Sequence, residues 1–335
     1  MQALQLDAIN QPAVVRDVPT PTPAAGEILV KLHAAALNHR DVFIQQGKYA
    51  GIQLPCTLGA DGAGEVAAHG ENVPAEAPAV GTQVLINPGL RWGDNPRAQA
   101  KDFVVLGMPD PGTFAEYITL PARYIRPMPA HLTFEQAAAL PLAGLTAYRA
   151  AFTRAQMQAG ERVLVTGVGG GVALLAAQFC TARGAEVWVT SSSEEKLARA
   201  QTLGAKGGIS YNAENWVKTL VQQAGGPFDV IIDSAGGDAF NSLLDAAAPG
   251  GRIVFFGGTL GNIPQLPPAK VFWKQLSLLG STMGTEQDFE DMLQLVAEKS
   301  IIPVVDEVFP LAEGEAALRR LDAGAQFGKV VLKIV

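Results

Sequence analysis

The chain has 335 residues, which at about 100–200 residues per domain points to two domains and a core that needs no staples. Apolar residues make up 48% and charged residues only 17%, against about 25% charged in an average globular chain, so a disordered chain is excluded. With 25 Lys and Arg against 32 Asp and Glu the formal charge is −7, and no basic surplus exists for nucleic acid or an anionic membrane.

The first 125 residues read as mostly β. Short apolar segments such as 27–35 and 81–87 alternate with Pro and Gly clusters, of which Pro19-Thr20-Pro21-Thr22-Pro23 is the clearest. They predict an irregular sheet or barrel-like domain. The polar, Gly- and Pro-rich stretch 87–112 predicts a long loop. After Pro127 the rhythm changes. Residues 133–139 start a helix, and from Glu161 strands (162–165, 186–190, 229–233, 252–256) are interspersed with helices (172–183, 194–203). Val163-Leu164-Val165, Val230-Ile231-Ile232 and Ile253-Val254-Phe255 are apolar throughout, as strands buried on both faces require. This alternation predicts a parallel, doubly wound sheet that stops near Gly261. Beyond it come a Pro-rich loop, a strand at 276–282, an amphipathic helix at 288–299 and a last strand at 328–335.

Cys56 and Cys180 are the only cysteines, too few for a Cys-rich structural zinc, and they fit a reducing, cytoplasmic setting. Residues 1–7 lack the basic and apolar regions of a secretory leader. The longest apolar stretch, 137–147, contains Pro141 and Gly144 and falls short of the ~20 residues that span a bilayer. A soluble protein is expected.

The strand at 162–165 runs into Thr166-Gly167-Val168-Gly169-Gly170-Gly171-Val172-Ala173. Read as G-x-G-x-x-G from Gly167, the last glycine falls on Val172 and the pattern fails. Read as G-x-x-G-x-x-A, Gly167, Gly170 and Ala173 all fit. Two glycines then let backbone approach a pyrophosphate, and small Ala173 stands where helix and strand pack closely. The helix N-terminus offers its free N–H groups to the phosphates. About 20 residues on, an acid would hold the ribose 2′-hydroxyl of NAD. The chain has Thr190-Ser191-Ser192-Ser193-Glu194-Glu195-Lys196 there, with no acid at the strand end. Neutral hydroxyls followed by Lys196 suit a 2′-phosphate, so NADP(H) is the expected cofactor. Ser192 and Glu195 also spell an S-x-x-E capping box, and Lys196 reads equally well as a solvated helix residue.

Together with this loop, residues 133–148 (T-F-E-Q-A-A-A-L-P-L-A-G-L-T-A-Y), 38–49 and 58–64 resemble the medium-chain dehydrogenase/reductase superfamily over essentially the whole chain. Within it the chain is most similar to zinc-independent quinone oxidoreductases and related double-bond reductases. The resemblance implies an α/β protein in which a Rossmann domain, a doubly wound parallel sheet at 128–263, is inserted in a mostly β GroES-like catalytic domain, 1–127 plus 264–335. It also implies a homodimer formed through the Rossmann-domain edge strand, at 276–282.

Zinc-dependent relatives carry a Cys where this chain has Asn38-His39-Arg40-Asp41 and a His where it has Gly59-Ala60-Asp61. Both ligands are missing, the four-Cys loop is replaced by 87–112, and His33, His39, His69 and His131 show no H-x-x-x-H pairing. No metal is expected. Without a Lewis acid, a conjugated acceptor is the better substrate, because hydride addition to an enone or quinone gives a delocalised anion. The expected function is therefore NADPH-dependent reduction of a quinone or α,β-unsaturated carbonyl, a small-molecule electron acceptor. The alternatives are an alcohol dehydrogenase-type carbonyl reductase and a non-catalytic, crystallin-like NADPH-binding protein.

Carried over by motif, Asn38 and Tyr49 are the expected catalytic residues, whereas Phe43 stands where relatives have a tyrosine and cannot donate a proton. Asn38 reads alternatively as a holder of the nicotinamide ribose, Tyr49 as a structural tyrosine, and solvent as the proton source. Thr146, Gly167, Gly170, Gly171 and Val172 are expected on the phosphates, and Ser191, Ser192, Lys196 and Tyr211 around the 2′-phosphate. Ser234, Phe256 and Gly257 end strands on the nicotinamide side. Lys329 matches a position near the cofactor and also reads as a basic residue opening the last strand.

Overall fold

The computed structural model describes residues 1–334. Their contacts cluster into two compact units, Met1–Ala143 with the chain from Gly284 onward, and Gly144–Met283.

The first unit is built on β1 (Glu27–Ala36), whose strict alternation sends Ile28, Val30 and Leu32 into the core. Asn38 then caps helix α1 (His39–Gln45). The chain continues through β2 (Asp61–His69), β3 (Gln83–Ile86), β4 (Tyr117–Pro121) and β5 (Ile125–Pro127). Thr133 caps the next helix, Phe134–Ala138, in a reciprocal box with Gln136. The stretch 87–112 is largely irregular, with one short pairing of Gly89–Leu90 on Val104–Val105.

The second unit carries the alternating pattern: β6 (Arg162–Val165), α2 (Gly171–Ala182), β7 (Glu186–Ser191), α3 (Glu194–Thr202) and β8 (Gly207–Ser210). It continues with β9 (Phe228–Asp233), α4 (Phe240–Ala246), β10 (Ala247–Phe255), α5 (Pro268–Trp273) and β11 (Ser277–Gly280). Among the described residues the strands form one parallel sheet in the order β8-β7-β6-β9-β10-β11. Two lobes of strands run outward from β6, the doubly wound arrangement. Val163, Leu164 and Val165 are fully buried because helices cover both faces.

The alternation does not end at Gly261. After the Pro-rich loop, β11 adds a parallel strand beside β10, and α5 packs against α4. The units therefore part at 143/144 and 283/284, not at the expected 127/128 and 263/264.

The chain then returns to the first unit with α6 (Glu286–Lys299), β12 (Val305–Pro310), α7 (Gly314–Asp322) and β13 (Lys329–Lys333). Among the described residues the larger sheet has the order β5-β3-β2-β1-β13-β12, with β4 also paired to β1. This pairing gathers residues that lie far apart in the chain. Ala36, the last residue of β1, stands opposite Asp61 of β2 on one side and Val331 of β13 on the other. Both neighbours run antiparallel to β1, so the starts of β2 and β13 meet its end and Asn38 just beyond.

Candidate functional site

In the second unit the carboxyl ends of the parallel strands bring together four predicted segments. Gly167 turns out of β6 at φ +65°, a left-handed conformation that favours glycine, and its N–H donates to Thr190 Oγ1 at 3.2 Å. Gly170 is the N-cap of α2, at φ −78° and ψ 153°. It has no side chain to cap the first turn, and a Cβ added to it would meet no atom within 4 Å. The N-terminus of α2, with Gly171 and half-buried Val172 in its first turn, is thus open backbone. Ala173 packs in the core, as the G-x-x-G-x-x-A register requires. Thr146 is buried on the helix Pro141–Tyr148, its hydroxyl 3.9 Å from Met283 Sδ.

Ser191 ends β7 almost fully buried, and its carbonyl accepts from the N–H of Tyr211, which brings that exposed tyrosine beside it. The predicted capping box is wrong by one residue. Ser193, not Ser192, caps α3, accepting from the Lys196 N–H at 3.3 Å, while Ser191 Oγ accepts from the Ser193 N–H. Three successive serines offer the same hydroxyl, and only the extended backbone at Ser193 (φ −115°, ψ 120°) sets the cap. Ser192 is left exposed at the strand end and Lys196 half-buried in the first turn of the helix.

Ser234 and Phe256 follow β9 and β10, and Gly257 sits so close that an added Cβ would lie 2.9 Å from the Ser234 carbonyl oxygen. Sequence reading missed the residue that organises this edge. Asp233 is buried, and its carboxylate accepts from Thr166 Oγ1 at 2.5 Å and from the N–H groups of Ala235 and Gly236. An acid closing an apolar run was the available signal, since a buried carboxylate must find donors.

In the first unit Asn38, Asp61 and Lys329 form a closed polar cluster. They are 9%, 0% and 5% exposed. Lys329 Nζ donates to Asn38 Oδ1 at 2.6 Å and to Asp61 Oδ2 at 3.0 Å. Asn38 Nδ2 donates to the same Asp61 oxygen at 2.9 Å, and Asp61 Oδ1 accepts from the Leu142 N–H at 2.7 Å. Beneath it lies a second buried pair. Arg40 donates to the carbonyls of Leu106 and Val105 and approaches Asp41 at 3.8 Å. Burial raises the Asp41 carboxyl above its ordinary range, against the pull of Arg40 and of its bond from the Asn38 N–H. Lys329 was expected and Asp61 was not, although an acid among small residues and a lysine before an apolar run each demand a partner.

Tyr49 lies half-buried, its ring 5.1 Å from the Arg40 guanidinium, and its hydroxyl has no protein partner among the described residues. Phe43 packs near His39, with ring centroids 6.3 Å apart. More than a third of His39 is open to solvent, yet its imidazole is held below the usual pKa, first by desolvation in the packed chain around it and then by the Lys329 charge. Cys56 and Cys180 are both free and buried. Burial pushes their thiols up to about 11 and about 12. At pH 8 about a thousandth of Cys56 or less is thiolate, so iodoacetamide is expected to label neither cysteine by mass spectrometry until the protein is unfolded.

Two family descriptions match the chain: "Alcohol dehydrogenase GroES-like domain" over residues 24–130 and "Zinc-binding dehydrogenase" over residues 171–298. The zinc-type alcohol dehydrogenase-like protein YogA of Leptosphaeria maculans is 34% identical over 348 residues, covering 99% of this chain and 94% of its own. A quinone oxidoreductase of Pseudomonas aeruginosa is 30% identical over 341 residues, covering 98% of both. A solved NAD-dependent alcohol dehydrogenase matches with a TM-score of 0.95 at 39% identity over 100% of both chains. The zinc in two of these descriptions does not fit the donors here. Asn38 and Ala60 offer neither thiolate nor imidazole, and the Asp61 carboxylate is already bound to an ammonium. Among the described residues no group of three or more His, Cys, Asp or Glu side chains is placed to hold a metal.

Proposed function

The chain belongs to the medium-chain dehydrogenase/reductase superfamily and is an oxidoreductase, and on that premise we propose that it reduces quinones or α,β-unsaturated carbonyls with NADPH, without zinc. The observation that carries this reading is the cluster of Asn38, Asp61 and Lys329, in which an ammonium stands against Asn38, where zinc-dependent relatives carry a metal-binding Cys, and against Asp61, next to Ala60, where they carry the His. When bound, the nicotinamide supplies the hydride, and the protein supplies orientation and charge.

Gly167, Gly170, Gly171, Val172 and Thr146 hold the pyrophosphate side of the cofactor in this reading, and Ser234, Phe256 and Gly257 the nicotinamide side. The open N-terminus of α2 supports it, since unpaired N–H groups and the helix dipole favour an anion there. Ser191, Ser192, Lys196 and Tyr211 take the 2′-phosphate. With the cap supplied by Ser193, the Ser192 hydroxyl remains exposed at a strand end that has no acid. Tyr49, with its unpartnered hydroxyl, orients the acceptor, and Asn38 and Lys329 complete that side. The two buried free thiols support a cytoplasmic setting.

Among the described residues the edge strand β11 pairs on one side only, with exposed Phe272 and Trp273 (62% and 82%) on the helix before it. A second copy joined edge to edge would complete the ladder and cover these rings, as a homodimer. Among the described residues no helix is long and apolar enough to cross a membrane.

The test is a cofactor-oxidation screen of quinones, enones and simple aldehydes with NADPH and NADH. Turnover of the conjugated acceptors is expected, with NADPH bound at least about tenfold tighter than NADH, ~1.4 kcal/mol. Lys196→Ala should erode that preference. Reduction of aldehydes alone, lost to chelators, would overturn the acceptor assignment, and equal affinity for the two cofactors the 2′-phosphate assignment.

A further inference from the structure

An ammonium carries three N–H donors. Lys329 uses two of them, toward Asn38 and Asp61, and the third meets no acceptor among the described residues. The side chain is nevertheless 95% buried. A desolvated cation with one idle proton costs stability unless something accepts it, and an anionic oxygen is the strongest such partner. The amide beside it has no freedom to serve instead. Asn38 faces the ammonium with its oxygen and Asp61 with its nitrogen, which fixes its orientation. Asp61 is equally committed, with bonds from Lys329, Asn38 and Leu142.

We propose that Lys329 is a catalytic residue whose third ammonium proton binds the oxygen on which negative charge develops during reduction, so that a fixed organic cation does the work a metal would do as Lewis acid. Asn38 and Asp61 are its positioning residues. This rests on the acceptor reading above. In the step concerned an enone and reduced nicotinamide give the saturated ketone and oxidised nicotinamide. The hydride leaves a C–H bond of the reduced nicotinamide and forms one at the β-carbon, the C=C π pair becomes the carbon–carbon double bond of the enolate, and the C=O π pair moves onto oxygen. That pair then re-forms C=O as the α-carbon takes a proton from water, leaving hydroxide. The ammonium stays protonated throughout and stabilises the enolate oxygen, which is where preorganised charge acts most strongly. Its buried counter-ion Asp61 holds it in place, as a flexible lysine stem alone would not.

The test reads the charge directly. The probe is 4-nitrophenol, whose anion is yellow, titrated on the NADP⁺-loaded protein. The bound phenol is expected to ionise at a pH lower by about one unit or more than in free solution, because a neighbouring cation favours the charged form. Lys329→Met should abolish the shift, and turnover should fall at least about a hundredfold, mostly in kcat, as expected when an interaction specific to the transition state is lost. Lys329→Met leaves Asp61 unpaired, so Lys329→Met with Asp61→Asn is the companion variant that removes both charges together. It should fold and also show no shift.

An unshifted phenol in the wild-type protein overturns the proposal, as does a shift that survives in the paired variant. So does a loss of NADPH affinity of tenfold or more with the phenol shift intact, which would assign the proton to a cofactor oxygen. If no acceptor in the screen is turned over, the acceptor reading falls, and the phenol titration still reports on the cation.

Discussion

Gly170→Asp is expected to leave the protein folded and to weaken NADPH binding at least about a hundredfold, ~2.7 kcal/mol. The backbone at φ −78° and ψ 153° is ordinary for any residue, and the new Cβ meets nothing within 4 Å. Aspartate is a favoured N-cap, and exchanging it for glycine there changes stability by only a few tenths of a kcal/mol. Binding has no such tolerance. The carboxylate takes the N–H groups of the first turn of α2 and sets a negative charge where the proposed reading puts the pyrophosphate. Two like charges about 4 Å apart near a protein surface repel by roughly 4 kcal/mol, more than the helix end returns. Fluorescence titration with NADPH, beside a thermal melt, checks both halves. Undiminished affinity with an unchanged melt would move the phosphates away from this helix.

Asp61→Ala is expected to destabilise the protein by about 3–5 kcal/mol, the largest effect on stability among these changes. One carboxylate answers Lys329, Asn38 and the Leu142 N–H, all inside the first unit, and alanine leaves the Lys329 charge without its counter-ion and Asn38 Nδ2 and the Leu142 N–H without that acceptor. The ammonium is the costliest, since it is nearly out of reach of water. Urea unfolding at pH 7 measures the loss. Adding Lys329→Met should recover part of it, because a buried charge without its partner costs more than the absence of both, and the two changes will not add. A loss below about 1 kcal/mol would mean that water or another acceptor reaches Lys329 and that the cluster is open rather than closed.

The glycine loop of the second unit and the polar cluster of the first differ in how far they could be read from residues alone. The glycine turn between β6 and α2 was legible because its parts are contiguous. A strand, a glycine turn and a helix follow within twenty-one residues, 162–182, and each has its own local signal. The same locality explains the one-residue error at Ser193, where three serines are chemically equal and the backbone angle decides. The strand β11 was read in two ways, as following the end of the alternation and, by resemblance, as the Rossmann-domain edge strand, for a related reason. It is short, half-exposed and preceded by prolines, so nothing in its pattern says which sheet it joins.

Asn38 and Lys329 were found through motifs, each with a second reading, and Asp61 entered only as the neighbour of Ala60, where a metal ligand is missing. Asp61 and Lys329 are 268 residues apart, and no local periodicity connects them. Their meeting follows from two antiparallel pairings on β1 that both converge on Ala36.

Length, low charge and a net −7 excluded disorder and a general affinity for nucleic acid, and the glycine spacing between a strand and a helix marked out a dinucleotide-binding unit without help from tertiary structure. Propensity, turn chemistry and buried-strand composition are properties of neighbouring residues, and they suffice for that. Which strand completes each sheet, and that a lysine, an asparagine and an aspartate share one buried charge, depend on register between distant segments. Register is settled only when the whole apolar face is packed, because a slip of one residue would turn every side chain to the opposite face.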